Sequence, residues 1–170
     1  LTQVTALEQA VADLDARIQE ALAPFRAAVS LLTTMPGVKT TAAAVIIADM
    51  SVFPSAGHLL SWAGLCPRLD ESAGKRRSTR TRQSAPWLKT TLVQIAWPAS
   101  RKKDSYFHAQ FLRLKSRRGP KKAILAVAAS ILTDVYYMLR DGVEFHDLGD
   151  QYFAQRDKDH VTKRLLQRLR

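Results

Sequence analysis

The stretch Lys121-Lys-Ala-Ile-Leu-Ala-Val-Ala-Ala-Ser-Ile-Leu-Thr-Asp-Val-Tyr-Tyr-Met-Leu139 decides the fold. Its residues are apolar nearly all round the helix that their spacing predicts, which is typical of a helix buried at the centre of a domain. With 46% apolar residues, the 170-residue chain has enough hydrophobic side chains for a real core. We therefore predict a mainly α fold in which this helix is the hub.

An amphipathic stripe precedes this hub at the start of the chain. Its apolar residues recur in steps of three and four: Leu7, Val11, Leu14, Ile18, Leu22, Phe25, Val29 and Leu32. The spacing predicts a long helix, which would either pair as a coiled coil in a homo-oligomer through Leu7–Leu32 or cover one edge of a local core. Pro24 lacks an amide donor and should kink or split this helix near residue 20.

The stripe and the hub suggest three parts. Residues 1–33 are the coiled-coil or dimerisation helix, residues 34–150 the main helical domain, and residues 151–170 a basic amphipathic helix with Val161, Leu165 and Leu169 on one side. The chain begins with Leu1 inside an amphipathic pattern, so we expect it to be the C-terminal piece of a longer protein. Within the main domain, Pro98 should bend or stop the helix that begins at Pro86.

The net charge of +11 is concentrated in the middle of the chain. Residues 68–122 hold 16 Lys/Arg and 3 Asp/Glu, whereas the flanking parts are nearly balanced. Such a concentration of positive charge on a chain that can fold favours a polyanionic partner, which makes DNA the first hypothesis.

A helix, a Pro36-Gly37 turn and a second helix rich in small residues follow one another between Leu31 and Ile46. This order is similar to a helix-hairpin-helix, in which a glycine permits the tight bend and amides at the start of the second helix donate to a phosphate. Gly37 and Lys39 are therefore candidate DNA contacts. A structural helical hairpin would have the same sequence.

The segment between residues 66 and 85 is a basic loop or a small β-hairpin, and it contains Ser72. A serine hydroxyl becomes a nucleophile when a base takes its proton, and attack on a phosphodiester also needs cations at the phosphate oxygens. Both elements flank Ser72, since Glu71 or Asp70 could orient the hydroxyl or act as base and Lys75 begins a basic run. A serine in a solvated turn is the alternative.

Several other classes are excluded or disfavoured by the sequence. The four histidines are isolated and the carboxylates form no acidic cluster, so we expect no metal site and no cofactor in this chain. The longest apolar runs fall short of the roughly 20 residues that a bilayer requires, so we expect no membrane partner. The single cysteine, Cys66, is expected to be a small core residue in a reducing cytoplasm.

Several motifs occur together in one order. They are Pro36-Gly37-Val38, Leu60-Ser-Trp-Ala-Gly-Leu-Cys-Pro67, Glu71-Ser72-Ala73-Gly74-Lys75, Trp87-Leu88-Lys89, Ala109-Gln110-Phe111-x-Arg113-Leu114, Arg117-Arg118-Gly119-x-Lys121-Lys122-Ala123 and Asp147-Leu148-Gly149. From Thr34 to Arg164 the chain resembles the C-terminal half of the insertion-sequence one-ten/one-sixteen/nine-zero-two family of serine-using, RNA-guided transposases.

This resemblance implies a DNA recombinase with an N-terminal RNase H-like domain, absent from this chain, that binds Mg2+ through acidic residues. It also implies a coiled coil and a helical domain whose nucleophilic serine falls on Ser72, with Glu71 as a possible orienter or base. DNA, a guide RNA and further copies of the protein are the implied partners, in the bacterial cytoplasm at the nucleoid.

The charge pattern and the motifs together give the candidate DNA-binding residues. They are Gly37, Lys39, Lys75, Arg76, Arg77, Arg80, Arg82, Lys89, Arg117, Arg118, Lys121 and Lys122. The sequence departs from the family pattern at Ser84, at Lys89, where arginine is usual, and at Pro98, so a decayed copy is one alternative. Two others are a helix-hairpin-helix module that binds nucleic acid without chemistry and a purely structural dimerisation piece that would explain Leu7–Leu32.

Overall fold

In a computed structural model the chain is mainly α, as predicted. The structure describes residues 2–48, 53–67, 70–78, 80–81 and 85–156, together with residues 158, 162, 166 and 167. The helices are α1 (Thr2–Ala21), α2 (Arg26–Thr33), α3 (Thr40–Ile47), α4 (Ala56–Trp62), α5 (Pro86–Arg101), α6 (Tyr106–Arg118), α7 (Pro120–Asp141) and α8 (Tyr152–Arg156). Two short strands, β1 (Asp70–Ser72) and β2 (Lys75–Ser78), lie between α4 and α5.

Helix α7 is the hub that its sequence predicts. It packs against α2, α4, α5 and α6, and its buried residues form two adjoining rows at helical spacing. These residues are Ala123, Ile124, Val127, Ala128, Ile131, Leu132, Val135 and Met138. By length and composition alone α7 could also cross a membrane, so the shortness of the apolar runs does not by itself exclude a membrane helix here. A core helix passes the same test, and α7 contributes much of the core.

The N-terminal helix divides where Pro24 predicts it. Helix α1 ends at Ala21, a single 3-10 turn spans Ala23–Phe25, and α2 continues from there. Along α1 the stripe of Leu7, Val11, Leu14 and Ile18 is exposed. These four residues therefore do not cover the edge of a local core, which was one of the two alternatives. Leu32, at the other end of the stripe, is fully buried.

The α2–α3 hairpin packs against α5 through Gly37. This glycine has a positive φ of +86°, and a Cβ built on it would lie 2.7 Å from the carbonyl oxygen of Ile95 and 3.2 Å from Cγ of Pro98. Gly37 is therefore required both by its backbone conformation and by the close approach of α5. The packing of Gly37 against α5 is enough to explain why a glycine occurs at this position, and no contact with a ligand is needed for that explanation.

Two local predictions need correction. Of the two outcomes predicted for Pro98, a bend or a stop, the stop is wrong, because helix α5 continues through Pro98 to Arg101. Cys66 is not a core residue but half-buried, at the edge of a cleft. The apolar row Val161, Leu165 and Leu169 predicted for the C-terminal helix lies outside the described residues, and α8 covers only Tyr152–Arg156 of that region.

Replacement of Gly37 by alanine should destabilise the fold by about 2–4 kcal/mol, because the new methyl group meets a backbone carbonyl and the left-handed conformation penalises an L-residue. Gly57→Ala is the matched control: its Cβ would meet only Ser55 Oγ at 3.7 Å, at the start of α4. We expect the control to be neutral or stabilising by up to about 1 kcal/mol. Urea unfolding of the unaltered protein, Gly37→Ala and Gly57→Ala measures both changes in the free energy of unfolding. Equal stability of Gly37→Ala and the unaltered protein would contradict the close approach of α5 to Gly37.

Candidate nucleic-acid interface

The basic segment forms a short antiparallel hairpin from β1 and β2, so of the two alternatives the hairpin is correct. Its two-residue turn consists of Ala73 and Gly74, with φ angles of +51° and +72°. Positive φ at both central residues is typical of a type I′ turn, whose twist matches that of the strands. No atom lies within 4 Å of a Cβ built on Gly74, so Gly74 is required by backbone conformation rather than by lack of space.

Ser72 lies beside this turn, with its side chain exposed and its Cα directly opposite that of Lys75. Opposed residues of an antiparallel pair share one face, with Cβ atoms about 5 Å apart. The long Lys75 side chain can therefore reach a group held at the Ser72 hydroxyl. Ser72 and Lys75 thus place a hydroxyl and a cation opposite each other at the turn end of the hairpin.

Glu71 precedes Ser72 in the same strand and is also exposed. Successive strand residues point to opposite faces, which directs the Glu71 carboxylate away from the Ser72 hydroxyl. The register opposes Glu71 to Arg76 in the backbone, and a bulge follows between Asp70 and Glu71. Proton transfer from Ser72 to Glu71 stays a prediction, and it would require a change in this hairpin geometry.

The base of the hairpin is held by Lys89, a half-buried residue of α5. Its Nζ donates hydrogen bonds to the carbonyl oxygen of Gly64 at 3.2 Å and to Oγ1 of Thr81 at 2.8 Å. Pro67 and Thr81 form an isolated antiparallel bridge at the same level of the hairpin. Lys89 therefore connects the end of α4 with the base of the hairpin. In this geometry its ammonium group acts within the fold, although the sequence predicted a DNA contact.

A cleft of about 1010 Å³ lies below the hairpin base. Three of the candidate DNA-binding residues line it: Arg80 from the segment after β2, Arg118 from the end of α6 and Lys122 from the first turn of α7. Leu65, Pro67, Leu125, Ala126 and Ala129 add apolar surface. The cleft thus brings together cations from distant parts of the sequence, on a surface shared by α7 and the hairpin base.

The other candidate residues are distributed around this cleft and beyond it. Lys75 and Arg77 are exposed on the hairpin, and Arg117 and Lys121 are exposed at the junction of α6 and α7. Lys39 is exposed at the N-cap of α3, on a different helical hairpin. Arg82 and the side chain of Arg76 lie outside the described part of the chain.

Some motif residues have structural roles that the sequence analysis missed. The Oδ1 atom of Asp147 accepts hydrogen bonds from the backbone amides of Tyr106 and Gly149, at 2.8 and 3.0 Å, and so fastens the segment after α7 to the start of α6. Gln110 donates to the Ser130 hydroxyl across the α6–α7 contact. Thr81 was also missed, because only the fold places it beside Lys89.

A second cavity, of about 370 Å³, lies next to α7 on its Asp134 side, with Tyr106, Ser130, Glu144 and His146 among its lining residues. Burial raises the pKa of Asp134 to about 6. Burial and then the nearby Asp134 also raise the pKa of Tyr106. Among the described residues no group of three or more His, Cys, Asp or Glu side chains could hold a metal ion, so this cavity does not provide a metal centre there.

The chain matches the model of the transposase IS116/IS110/IS902 family over residues 29–112. That range contains α3, α4, α5 and the hairpin of β1 and β2 that carries Ser72, together with most of α2. The match therefore supports the class of protein that the motifs indicate, a transposase of an insertion sequence.

A similar protein is the insertion element IS110 uncharacterized 43.6 kDa protein of Streptomyces coelicolor. It is 32% identical to this chain in an alignment 151 residues long, which covers 83% of the chain and 36% of that protein. The chain thus spans little more than a third of the length of this relative. Both similarities support a relationship of the chain to the IS116/IS110/IS902 transposase family.

Lys89→Met should loosen the hairpin, because methionine keeps much of the side chain's length but donates no hydrogen bond to Gly64 or Thr81. Removal of two charge-assisted bonds in a half-buried site should cost about 1–3 kcal/mol. We expect faster hydrogen exchange in residues 70–78 and a lower free energy of unfolding. Lys121→Met, at an exposed position on α7, is the control and should leave both unchanged. Unaltered exchange in Lys89→Met would contradict the anchoring role.

Proposed function

We propose that this chain is the part of an insertion-sequence transposase that binds DNA and supplies a serine nucleophile for strand cleavage and exchange. The observation that carries the proposal is Ser72 at an exposed hairpin tip, opposite Lys75. The cleft with Arg80, Arg118 and Lys122 at the base of the same hairpin gives it further support. The family comparison supports a protein that acts on DNA in the cytoplasm.

In the proposed reaction, Ser72 Oγ attacks a backbone phosphorus of DNA. A bond forms between Oγ and phosphorus as the bond from phosphorus to a deoxyribose oxygen breaks, and the hydroxyl proton passes to a base. We assign to Lys75, opposite Ser72, and to Arg77, two residues further along β2, the balancing of negative charge on the phosphate oxygens in the transition state. The serine–phosphate link keeps the energy of the broken phosphodiester, so a second strand can replace Ser72 without ATP.

The base and the metal need separate assignment. Glu71 can act as the general base for Ser72 only if the hairpin rearranges. In the present hairpin geometry, the base would be a group on another domain or protomer. The described residues do not form a metal site, and we assign Mg2+ to a separate acidic domain of the longer protein. No step assigned to residues of this chain passes through the metal.

Two further partners belong to the proposal. A homo-oligomer would pair the exposed stripe of Leu7, Val11, Leu14 and Ile18 on α1, which would remove apolar surface from water. A guide RNA and an association with the nucleoid rest on the family resemblance, together with the basic surface of residues 68–122. Such a surface binds the phosphates of either nucleic acid.

Ser72→Ala, in the longer protein with its RNA and metal, should reduce strand exchange by about a thousandfold or more, because no nucleophile remains. A covalent protein–DNA product should disappear, while duplex DNA affinity stays within about twofold, since an exposed hydroxyl adds little to binding. Ser61→Ala, at an exposed serine of α4, is the matched control and should keep full activity. Undiminished strand exchange by Ser72→Ala would instead support the non-catalytic binding module.

Neutralising the cleft should change the salt dependence of duplex DNA binding. In Arg80→Gln, Arg118→Gln and Lys122→Gln, the slope of log affinity against log salt should fall by roughly 0.9 for each phosphate that is no longer neutralised. Arg140→Gln is the control, because Arg140 pairs with Asp141 at the far end of α7. Titration by fluorescence anisotropy at several salt concentrations gives the slopes. Slopes equal to that of the unaltered protein would mean that the cleft does not bind phosphates.

A further inference from the structure

A separate depression of about 450 Å³ lies beside α5 and α6, at the start of α7. Trp97 of α5 and Phe111 and Leu112 of α6 provide its apolar surface. Arg101, Lys103 and Lys115 also line it. None of these six residues is among the DNA contacts that the sequence predicts.

Trp97 has the geometry of a stacking platform. It remains 38% exposed, although neighbouring residues of α5 such as Ala96 and Ala99 are fully buried. The Phe111 ring contacts it in a T-shaped arrangement, with centroids 6.0 Å apart and planes at 64°, so the two rings are not stacked in parallel. Lys115 Nζ lies 5.8 Å from the centre of the Phe111 ring, which places a cation beside the same aromatic pair.

The charge at this depression is positive. Three cationic side chains line it, and no carboxylate is among its described lining residues. Asp104 and Asp150 line an adjoining depression on the far side of Lys103, His108 and Leu112. The imidazole of His108 makes a 2.7 Å hydrogen bond with the carbonyl oxygen of Ser100, so its Nδ1 is already occupied. The surface therefore joins an aromatic platform to phosphate-binding cations.

We propose that this depression, the Trp97 pocket, binds one unpaired nucleotide, with its base stacked on Trp97 and its phosphate held by Arg101, Lys103 and Lys115. A duplex does not fit this role, because its bases are already stacked on one another, whereas a single strand exposes them. The volume lies within the usual range for sites of small ligands, about 300–1,000 Å³.

The Trp97 pocket and the cleft of the proposed function are separate, but both take lining residues from the junction of α6 and α7. Lys115 and Pro120 line the Trp97 pocket, and Arg118 and Lys122, from the same junction of α6 and α7, line the cleft. Arg117 and Lys121, at the same junction, are exposed and add positive charge there. This inference rests on the proposed nucleic-acid binding but not on the chemistry of Ser72.

Binding of short, end-labelled single strands of DNA and of RNA to the 170-residue chain tests the proposal. Trp97→Ala should bind single strands about 5- to 100-fold more weakly, the reduction expected for one stacked base, and bind duplex DNA within about twofold of the unaltered protein. Trp97→Phe should keep most of the affinity. Tyr137→Ala, at an exposed aromatic residue beside the Asp134 cavity, is the matched control and should bind normally.

A measurement on the unaltered protein needs no variant. Single strands with abasic sites in place of bases should bind more weakly than complete strands, and this difference should shrink in Trp97→Ala. If abasic sites weaken the binding of DNA strands but not of RNA strands, the nucleotide comes from DNA. The opposite result would identify RNA as its source. Equal affinity for abasic and complete strands, or normal single-strand binding by Trp97→Ala, would overturn the Trp97 pocket. Duplex DNA affinity and its salt dependence are measured on the same proteins. A failure of the proposed duplex binding would appear in those measurements, separately from a failure of single-strand binding at Trp97.

Discussion

Burial of α7 is the constraint on which the rest of the structure depends. Its 22 residues bring the faces of α2, α4, α5 and α6 to one core, and each fully buried aliphatic side chain contributes about 1.5–3 kcal/mol. Because four helices share this one partner, their relative positions follow from its two buried rows. The first turn of α7 extends beyond that core and carries Lys121 and Lys122 to the surface. The helix that organises the interior therefore also positions part of the basic surface.

The serine hairpin depends on this core indirectly. Its two strands are short and exposed, and a two-stranded hairpin alone is marginally stable in water. Lys89 supplies the missing support, because its position on α5 is fixed by the neighbouring Leu88 and Leu92, which α5 buries. The ammonium group then reaches both the end of α4 and Thr81. Packing of aliphatic side chains thereby positions a polar hairpin with few contacts of its own.

Much of the fold could be predicted from the sequence, since hydrophobic spacing encodes α7 and proline encodes the break between α1 and α2. The continuation of α5 through Pro98 could not be predicted, because a proline ends a helix only when tertiary packing does not hold the following turn. Here α5 continues beside the α2–α3 hairpin. For the site, the basic run and Ser72 were evident. The grouping of Arg80 with Arg118 and Lys122, and the inward role of Lys89, arise from contacts between distant segments that no local pattern contains.

The Ala73–Gly74 turn has a consequence for how this domain tolerates change. The tip of the hairpin makes none of the core contacts, and a side chain at Gly74 would meet open space, so only the local backbone conformation constrains it. A substitution at Gly74 therefore costs only the strain of the left-handed conformation, about 1–2 kcal/mol, and disturbs no packing. The exposed side chain of Ser72 can likewise be replaced without disturbing the core, so a variant that lacks this hydroxyl should still accumulate as a well-folded protein.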